Sequence, residues 1–195
     1  LFCALFSCPH SIKLEHQGLI DLTISEDLIY KNLRKSYRPF VNWGRKELLL
    51  NIIDKNNPDG RMFNNFRNLH VMASGRQTRN DATWQAQLDM IEAGYGFLIA
   101  SSIGNELVSG CFIMYDEDTA FYAVAASDRN RMEANIPLNH FSLYSAIIEA
   151  KRKGCRLFKV GDLNDINDTK MANIARFKRG FITNLVTEEI ITVQL

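Results

Sequence analysis

Three apolar runs dominate the middle of the chain: FLIASS (97–102), LVSGCFIMY (107–115) and AFYAVAAS (120–127). Each has strand length, and the polar turns IGNE and DEDT separate them, which predicts a three-stranded antiparallel meander. Ahead of it the apolar period changes. Ser25 is placed to cap a helix with Glu26 and Asp27 in its first turn, and Leu28, Ile29, Leu33 and Tyr37 keep a helical stripe until Pro39 interrupts it. Met62, Phe63, Phe66, Leu69 and Met72 mark a second helix that SGR ends, and Trp84, Leu88 and Ile91 mark a third that Asn80 caps. GLIDLT (18–23) reads as a short strand, KELLLNIID (46–54) as a strand, and NNPDG (56–60) as a turn.

Beyond the meander, DRNRMEAN (128–135) reads as a polar loop. PLNHFSLYSAIIEAKRKG (137–154) is a helix with proline in its first turn and glycine at its end. RLFKVGD is a strand, NDTKMANIARFKRG a helix, and FITNLVTEEIITVQL a closing strand pair or one long bent strand. Cations in IARFKRGF (174–181) suit the negative pole of a helix, and Gly180 suits a left-handed cap. The order gives an α+β fold with one mixed, mostly antiparallel sheet flanked by helices. The helix between AFYAVAAS and RLFKVGD is a crossover, so those two strands are expected to run parallel. Two parallel strands in such a sheet can splay, and the gap admits an extended ligand.

Composition narrows the class. Of 195 residues 46% are apolar and 23% charged, as in ordinary globular proteins, and the net charge of +1 excludes a chain coated in nucleic acid while allowing a local basic groove. Cys3, Cys8, Cys111 and Cys155 form neither a disulfide ladder nor paired CxxC knuckles. With Cys3 upstream, CPH offers three metal ligands where structural zinc takes four, so no metal is expected and the thiols are read as free in a reducing cytoplasm. LFCALFSCPH has a leader-like apolar core but no basic start, and it is too short to span a bilayer. Cytoplasmic localisation and no stable membrane insertion are therefore expected.

The motifs add a resemblance. FKRGF (177–181) resembles the FKxGF signature of FemAB-type proteins, the peptidoglycan bridge-forming aminoacyltransferases of the GNAT acyltransferase superfamily. ASGRQTR (73–79), FYAVAAS and the run IPLNHFSLYSAIIEAKRKGCRLFKVGD (136–162) resemble that family's arginine motif, central strand, crossover helix and following strand. The likeness covers about residues 18–191 and implies a GNAT-like sheet with a parallel splayed pair. It matches one of the two domains such enzymes carry, so the expected organisation is an N-terminal segment 1–17, either continuing from an upstream half or belonging to a one-domain relative, and one domain over 18–195. Acyl-CoA enzymes of the superfamily usually cradle pyrophosphate with a glycine-bearing loop, whereas SDRNRMEANIP (127–137) contains no glycine.

The resemblance implies transfer of an aminoacyl or acyl group to an amine of a phosphorylated cell-envelope precursor. Aminoacyl-tRNA or acyl-CoA would be co-substrate, with no separate cofactor. Two alternatives stand beside it: a CoA-dependent N-acyltransferase for a sugar amine or small molecule, and a non-catalytic binding half of a two-domain protein. Acyl transfer passes through an oxyanion, so a fixed cation near the carbonyl lowers the barrier. The resemblance assigns Phe177 and Lys178 to that functional pair. Arg76 and Arg79 are candidate diphosphate ligands because a guanidinium forks onto phosphate, or else a solvated turn. Lys31, Arg34, Lys35 and Arg38 share one helical face, which suits phosphates of tRNA or precursor, or solvent. Tyr122 matches a substrate-facing tyrosine or is a half-buried sheet aromatic. His140 is a candidate base and Asp162 a candidate amine-positioning carboxylate, each with a structural alternative. Phe63, Phe66 and Trp84 read as core.

Overall fold

The apolar runs assemble into one seven-stranded sheet in a computed structural model that describes residues 10–164 and 169–193. In chain order the elements are β1 (His10–Asp21), α1 (Glu26–Asn32), a 3-10 turn (Lys35–Tyr37), α2 (Arg38–Glu47), β2 (Leu49–Ile53), α3 (Gly60–Ser74) and α4 (Asp81–Ala93). The meander follows as β3 (Gly96–Ile103), β4 (Glu106–Tyr115) and β5 (Thr119–Ser127). Then come α5 (Arg129–Glu133), α6 (Leu138–Arg152), β6 (Leu157–Asp162), α7 (Thr169–Lys178) and β7 (Asn184–Val193). The strand order is β2-β3-β4-β5-β6-β1-β7, and β5–β6 is its one parallel pair. This is the expected α+β mixed sheet.

Helices cover both faces, which explains why the meander strands are apolar runs rather than alternating ones. Phe97 and Ile99 of β3 pack in one core with Ile29, Val41, Leu143, Ile147 and Phe158. Leu98 and Ala100 pack in the other with Phe63, Phe66, Leu69, Trp84 and Ile91. Each such large side chain contributes roughly 1.5–3 kcal/mol by leaving water. Helix ends follow local chemistry. Ser25, Asp59 and Asn80 accept from the backbone N–H three residues on, and Gly75 closes α3 at φ 72°.

Several expectations need correction. The helix expected from Ser25 to Pro39 breaks at Leu33, whose backbone turns extended, and Pro39 lies in the first turn of α2 instead of ending a helix. Lys31, Arg34, Lys35 and Arg38 therefore do not share one face. The break is satisfied from elsewhere: Arg34 N–H donates to the Gly180 carbonyl at 2.9 Å. DRNRMEAN is not all loop, because Asp128 caps α5 within it. Of the expected short strand GLIDLT, residues 18–21 are the end of the longer β1, which crosses residues 17 and 18, and Leu22 and Thr23 lie beyond it. The closing segment is one strand, β7. Cys3 and Cys8 lie outside the described residues. Cys111 and Cys155 are buried and free, and no group of three or more metal-ligating side chains occurs among the described residues.

The parallel pairing is short. It runs from Thr119↔Leu157 to Phe121↔Lys159 and stops. Both strands carry an extra residue just past that point: Ala123 between the partners of Phe112 and Ile113, and Val160 between the partners of Gly18 and Leu19. Bulges bend and twist a strand, so two facing each other force β5 and β6 apart. Gly161, at φ 83°, supplies the backbone turn that β6 needs there.

Candidate active site

The splay opens a cavity of about 540 Å³. Its floor is β5, from Tyr122 to Ser127, where the small side chains of Ala123, Ala125 and Ala126 leave the space empty. Helix α7 supplies Ile174, Phe177 and Lys178, α3 supplies His70, and Arg79, Arg129, Met132 and Asn139 complete the wall. Three cations and no carboxylate line it among the described residues. Lys178, Phe177, Tyr122 and Arg79, far apart in sequence, thus meet around one space.

Lys178 is the last residue of α7. The glycine two places on is not a left-handed cap, because Gly180 is absent from the residues at positive φ. Its role is close approach: a Cβ there would lie 2.0 Å from Tyr37 Cε2. The Tyr37 ring lies over this backbone, and its hydroxyl donates to the Phe177 carbonyl at 3.2 Å. Phe177 in turn packs on Tyr37, His140 and Phe181 with centroids 5.1–5.9 Å apart. The FKRGF backbone is therefore gripped by the N-terminal helical region, which aims Lys178 into the splay. Its Nζ sits 3.4 Å from where a Gly161 Cβ would be and 5.9 Å from the Tyr122 ring centre. It makes no hydrogen bond to another described residue. Burial lowers its pKa, and the nearby Asp162 carboxylate partly offsets this. Such a desolvated ammonium, free of hydrogen bonds to the described residues, can stabilise a developing negative charge.

The two arginines separate. Arg79 Nη1 is 2.9 Å from His70 Nε2, and the guanidinium lies over Trp84 at 5.9 Å. Burial, with a smaller contribution from Arg79, lowers the His70 pKa, and because a guanidinium can only donate, His70 Nε2 is the acceptor. Arg76 is exposed and does not line the cavity. Arg38 does not reach it either: its Nη2 donates to the Lys31 carbonyl, tying α2 to the end of α1. Tyr122 is half-buried against the core, and burial pushes its hydroxyl well above the usual range. Asp162 turns its Oδ1 onto Asn164 N–H at 2.8 Å, closing β6. Phe63, Phe66 and Trp84 are core, as expected.

His140 lies in an aromatic cage of Tyr37, Phe40 and Phe177, with centroids 4.5–5.1 Å away. It lines a second, mostly apolar cavity of about 710 Å³ that shares Met132, Asn139, Ile174 and Phe177 with the first. Burial pulls its pKa down to about 4, the Pro137 carbonyl opposing slightly. A lowered histidine pKa means the unfolded chain binds the extra proton first. Stability should therefore fall as pH drops from about 6.5 to about 4, by roughly 2 kcal/mol after allowing for solvent screening. Urea melts of wild type and His140→Phe across that range test this, the variant losing that part of the slope.

Residues that pattern reasoning passed over also meet here: His70, Arg129, Asn139 and Gly161. His70 falls among the stripe of α3 and Arg129 in an apparent loop, so neither carries a local signal. The glycine in KVGD was one: within a strand it marks a bulge or a close approach.

No protein-family model matches the chain, and no curated protein does. Solved structures do. FemX aligns with a TM-score of 0.69 at 13% identity, covering 92% of this chain and 61% of FemX. L-PGS from Bacillus licheniformis aligns at 0.66 with 13% identity, covering 95% of this chain and 62% of that one. The chain thus spans about six tenths of their lengths. An aminoglycoside acetyltransferase, meta-AAC0020 from an uncultured soil metagenomic sample, solved in complex with sisomicin, aligns at 0.51 with 14% identity, covering 70% of this chain and 88% of its own. At these identities the likeness speaks to architecture alone: the chain shares with them a GNAT-like fold.

Proposed function

We propose that this domain transfers an aminoacyl or acyl group to an amine of a phosphorylated, peptidoglycan-type cell-envelope precursor. The observation that carries the reading is the desolvated Lys178 ammonium in the β5/β6 splay, without a hydrogen bond to another described residue, beside a wall that adds Arg79 and Arg129. A neutral acceptor amine attacks the ester carbonyl of an aminoacyl-tRNA, the C–N bond forms, and the carbonyl oxygen becomes an oxyanion facing Lys178. Collapse breaks the C–O bond, and the proton lost by the amine ends on the departing ribose oxygen. Arg79 and Arg129 hold the phosphates of the acceptor. The FemX likeness supports this class, and the FKRGF motif supports it independently.

Acyl-CoA as donor fits less well. Two amides that would cradle a pyrophosphate at the start of α6 are missing or taken: Pro137 has no N–H, and Leu138 N–H donates to the Ile136 carbonyl at 2.9 Å. The deciding assay offers radiolabelled aminoacyl-tRNA and acetyl-CoA in parallel to a UDP-linked muropeptide and to sisomicin. Label moving from tRNA to the muropeptide supports the proposal. Transfer from acetyl-CoA to sisomicin alone, or none with either donor, overturns it.

The arginines give a sharper expectation. Arg79→Ala should weaken muropeptide binding by roughly 10- to 100-fold, about 1.4–2.8 kcal/mol, while Arg76→Ala changes it less than about twofold. Arg79→Lys should recover only part, since one ammonium cannot fork onto a diphosphate. Calorimetry with the UDP-linked and dephosphorylated muropeptides reads this out, and equal binding of the two by wild type would remove the phosphate role.

A further inference from the structure

Asn139, in the first turn of α6, lines both cavities. Its Oδ1 accepts from the Ser127 hydroxyl and from Ser109 Oγ at 3.3 Å. Those hydroxyls belong to a buried network: Ser109 to Ser127 at 2.9 Å, Ser142 to Ser109 at 3.1 Å, and Ser101 to Ser142 at 2.9 Å. Ser142 also reaches the Leu138 carbonyl at 3.2 Å. Four serines thus tie β3, β4 and β5 to the start of α6, in a region where an unmade hydrogen bond costs about 1–3 kcal/mol. With one proton per hydroxyl, the bonds that can be made together run from Ser101 to Ser142, Ser109 and Ser127 and end on Asn139 Oδ1, which engages the oxygen side of the amide.

The nitrogen side is only weakly engaged. The partner of Nδ2 is Met132 Sδ at 3.5 Å, and a thioether is a weak acceptor. With Oδ1 at the end of that hydroxyl chain, the amide turns Nδ2 toward the sulfur. A rigidly held N–H pair therefore faces the shared wall of the two cavities. On one side the wall is cationic. On the other, no charged side chain occurs among the described residues, and His140 is neutral near pH 7. A phosphate belongs with the cations, and a neutral N–H pair at this boundary matches a neutral carbonyl oxygen.

We propose that Asn139 Nδ2 is a binding donor for a substrate carbonyl oxygen, with Ser127 and Ser109 as its positioning residues. This rests on reading the splay as an acyl-transfer site. The carbonyl belongs either to the acyl donor or to a peptide acceptor, and the experiment separates them. Protein labelled with 15N-asparagine gives a side-chain NH2 pair for Asn139, identified by its loss in Asn139→Asp. It is titrated with 3′-alanylamino-3′-deoxyadenosine, a stable stand-in for the aminoacyl ester, and separately with N-acetyl-Lys-D-Ala-D-Ala. Each probe is paired with an analogue whose carbonyl is reduced to methylene. One probe should shift the Asn139 pair saturably and bind about tenfold tighter than its reduced analogue, as one hydrogen bond provides. Ser127→Ala should lose most of that preference while still binding the reduced analogue, which a general packing defect would not do. No shift with either probe, or an unchanged preference in Ser127→Ala, overturns the assignment. Because nothing is turned over, the preference would survive even if no transfer activity were found.

Discussion

Replacing Lys178 by methionine should lower turnover by about 10² or more, the loss typical of removing one oxyanion donor. The variant should fold at least as well as the wild type. Methionine keeps the length and apolar stem of lysine and removes a cation whose burial opposes its charge. The sign follows from the lowered pKa. Below the folded value the protein bears the full cost of the buried charge. As pH rises through that value toward the ordinary 10.5, the unfolded chain binds more protons than the folded one, so wild-type stability rises. Activity should fall over the same alkaline window as the ammonium is lost. Opposite alkaline slopes of activity and stability in wild type, with the stability slope absent from Lys178→Met, would mark the residue. Full activity in the variant would remove it from the mechanism.

Gly180→Ala carries the largest expected structural effect. The added methyl would sit 2.0 Å from Tyr37 Cε2 and 2.6 Å from Cζ, inside both atoms' contact distance. The ring has little room to yield, because it touches His140 and Phe181 with centroids 4.5 and 5.3 Å away. Overpacking of this kind costs about 3 kcal/mol, which for a chain of this size lowers Tm by roughly 6–12 °C. Tyr37→Leu removes the clashing atoms, so the double variant should lose clearly less than the sum of the two single losses. Simple additivity would show that the methyl is absorbed elsewhere and that the Tyr37 grip does not explain the glycine.

These two residues also show what the sequence could and could not reveal. The meander was legible because both faces of β3–β5 are buried, leaving apolar runs between unmistakable turns. The parallel pair followed from one crossover helix. Lys178, Phe177, Tyr122 and Arg79 could be named from motifs, and the fold brings them to one cavity. Arg76 and Arg79 looked alike, since the difference lies in His70 and Trp84, which receive only one of them. The break at Leu33 was hidden because Leu33 and Tyr37 keep a helical period, and the bond that satisfies Arg34 comes from Gly180. Gly180 itself read as a helix stop because local statistics carry no trace of a ring from another part of the chain.

The position of β1 has a consequence in time. This strand is not at an edge: it lies between β6 and β7, which follow it in the chain by more than a hundred residues. At about 5–20 residues per second, β1 leaves the ribosome on the order of ten seconds before β6 can pair with it. The meander and the helices on its flanks can fold in that interval, while β1 waits without its β6 and β7 partners. The grip of Tyr37 on FKRGF must wait as well. The cleft is thus assembled after the meander, and nascent chains shorter than β6 hold its floor without its lysine.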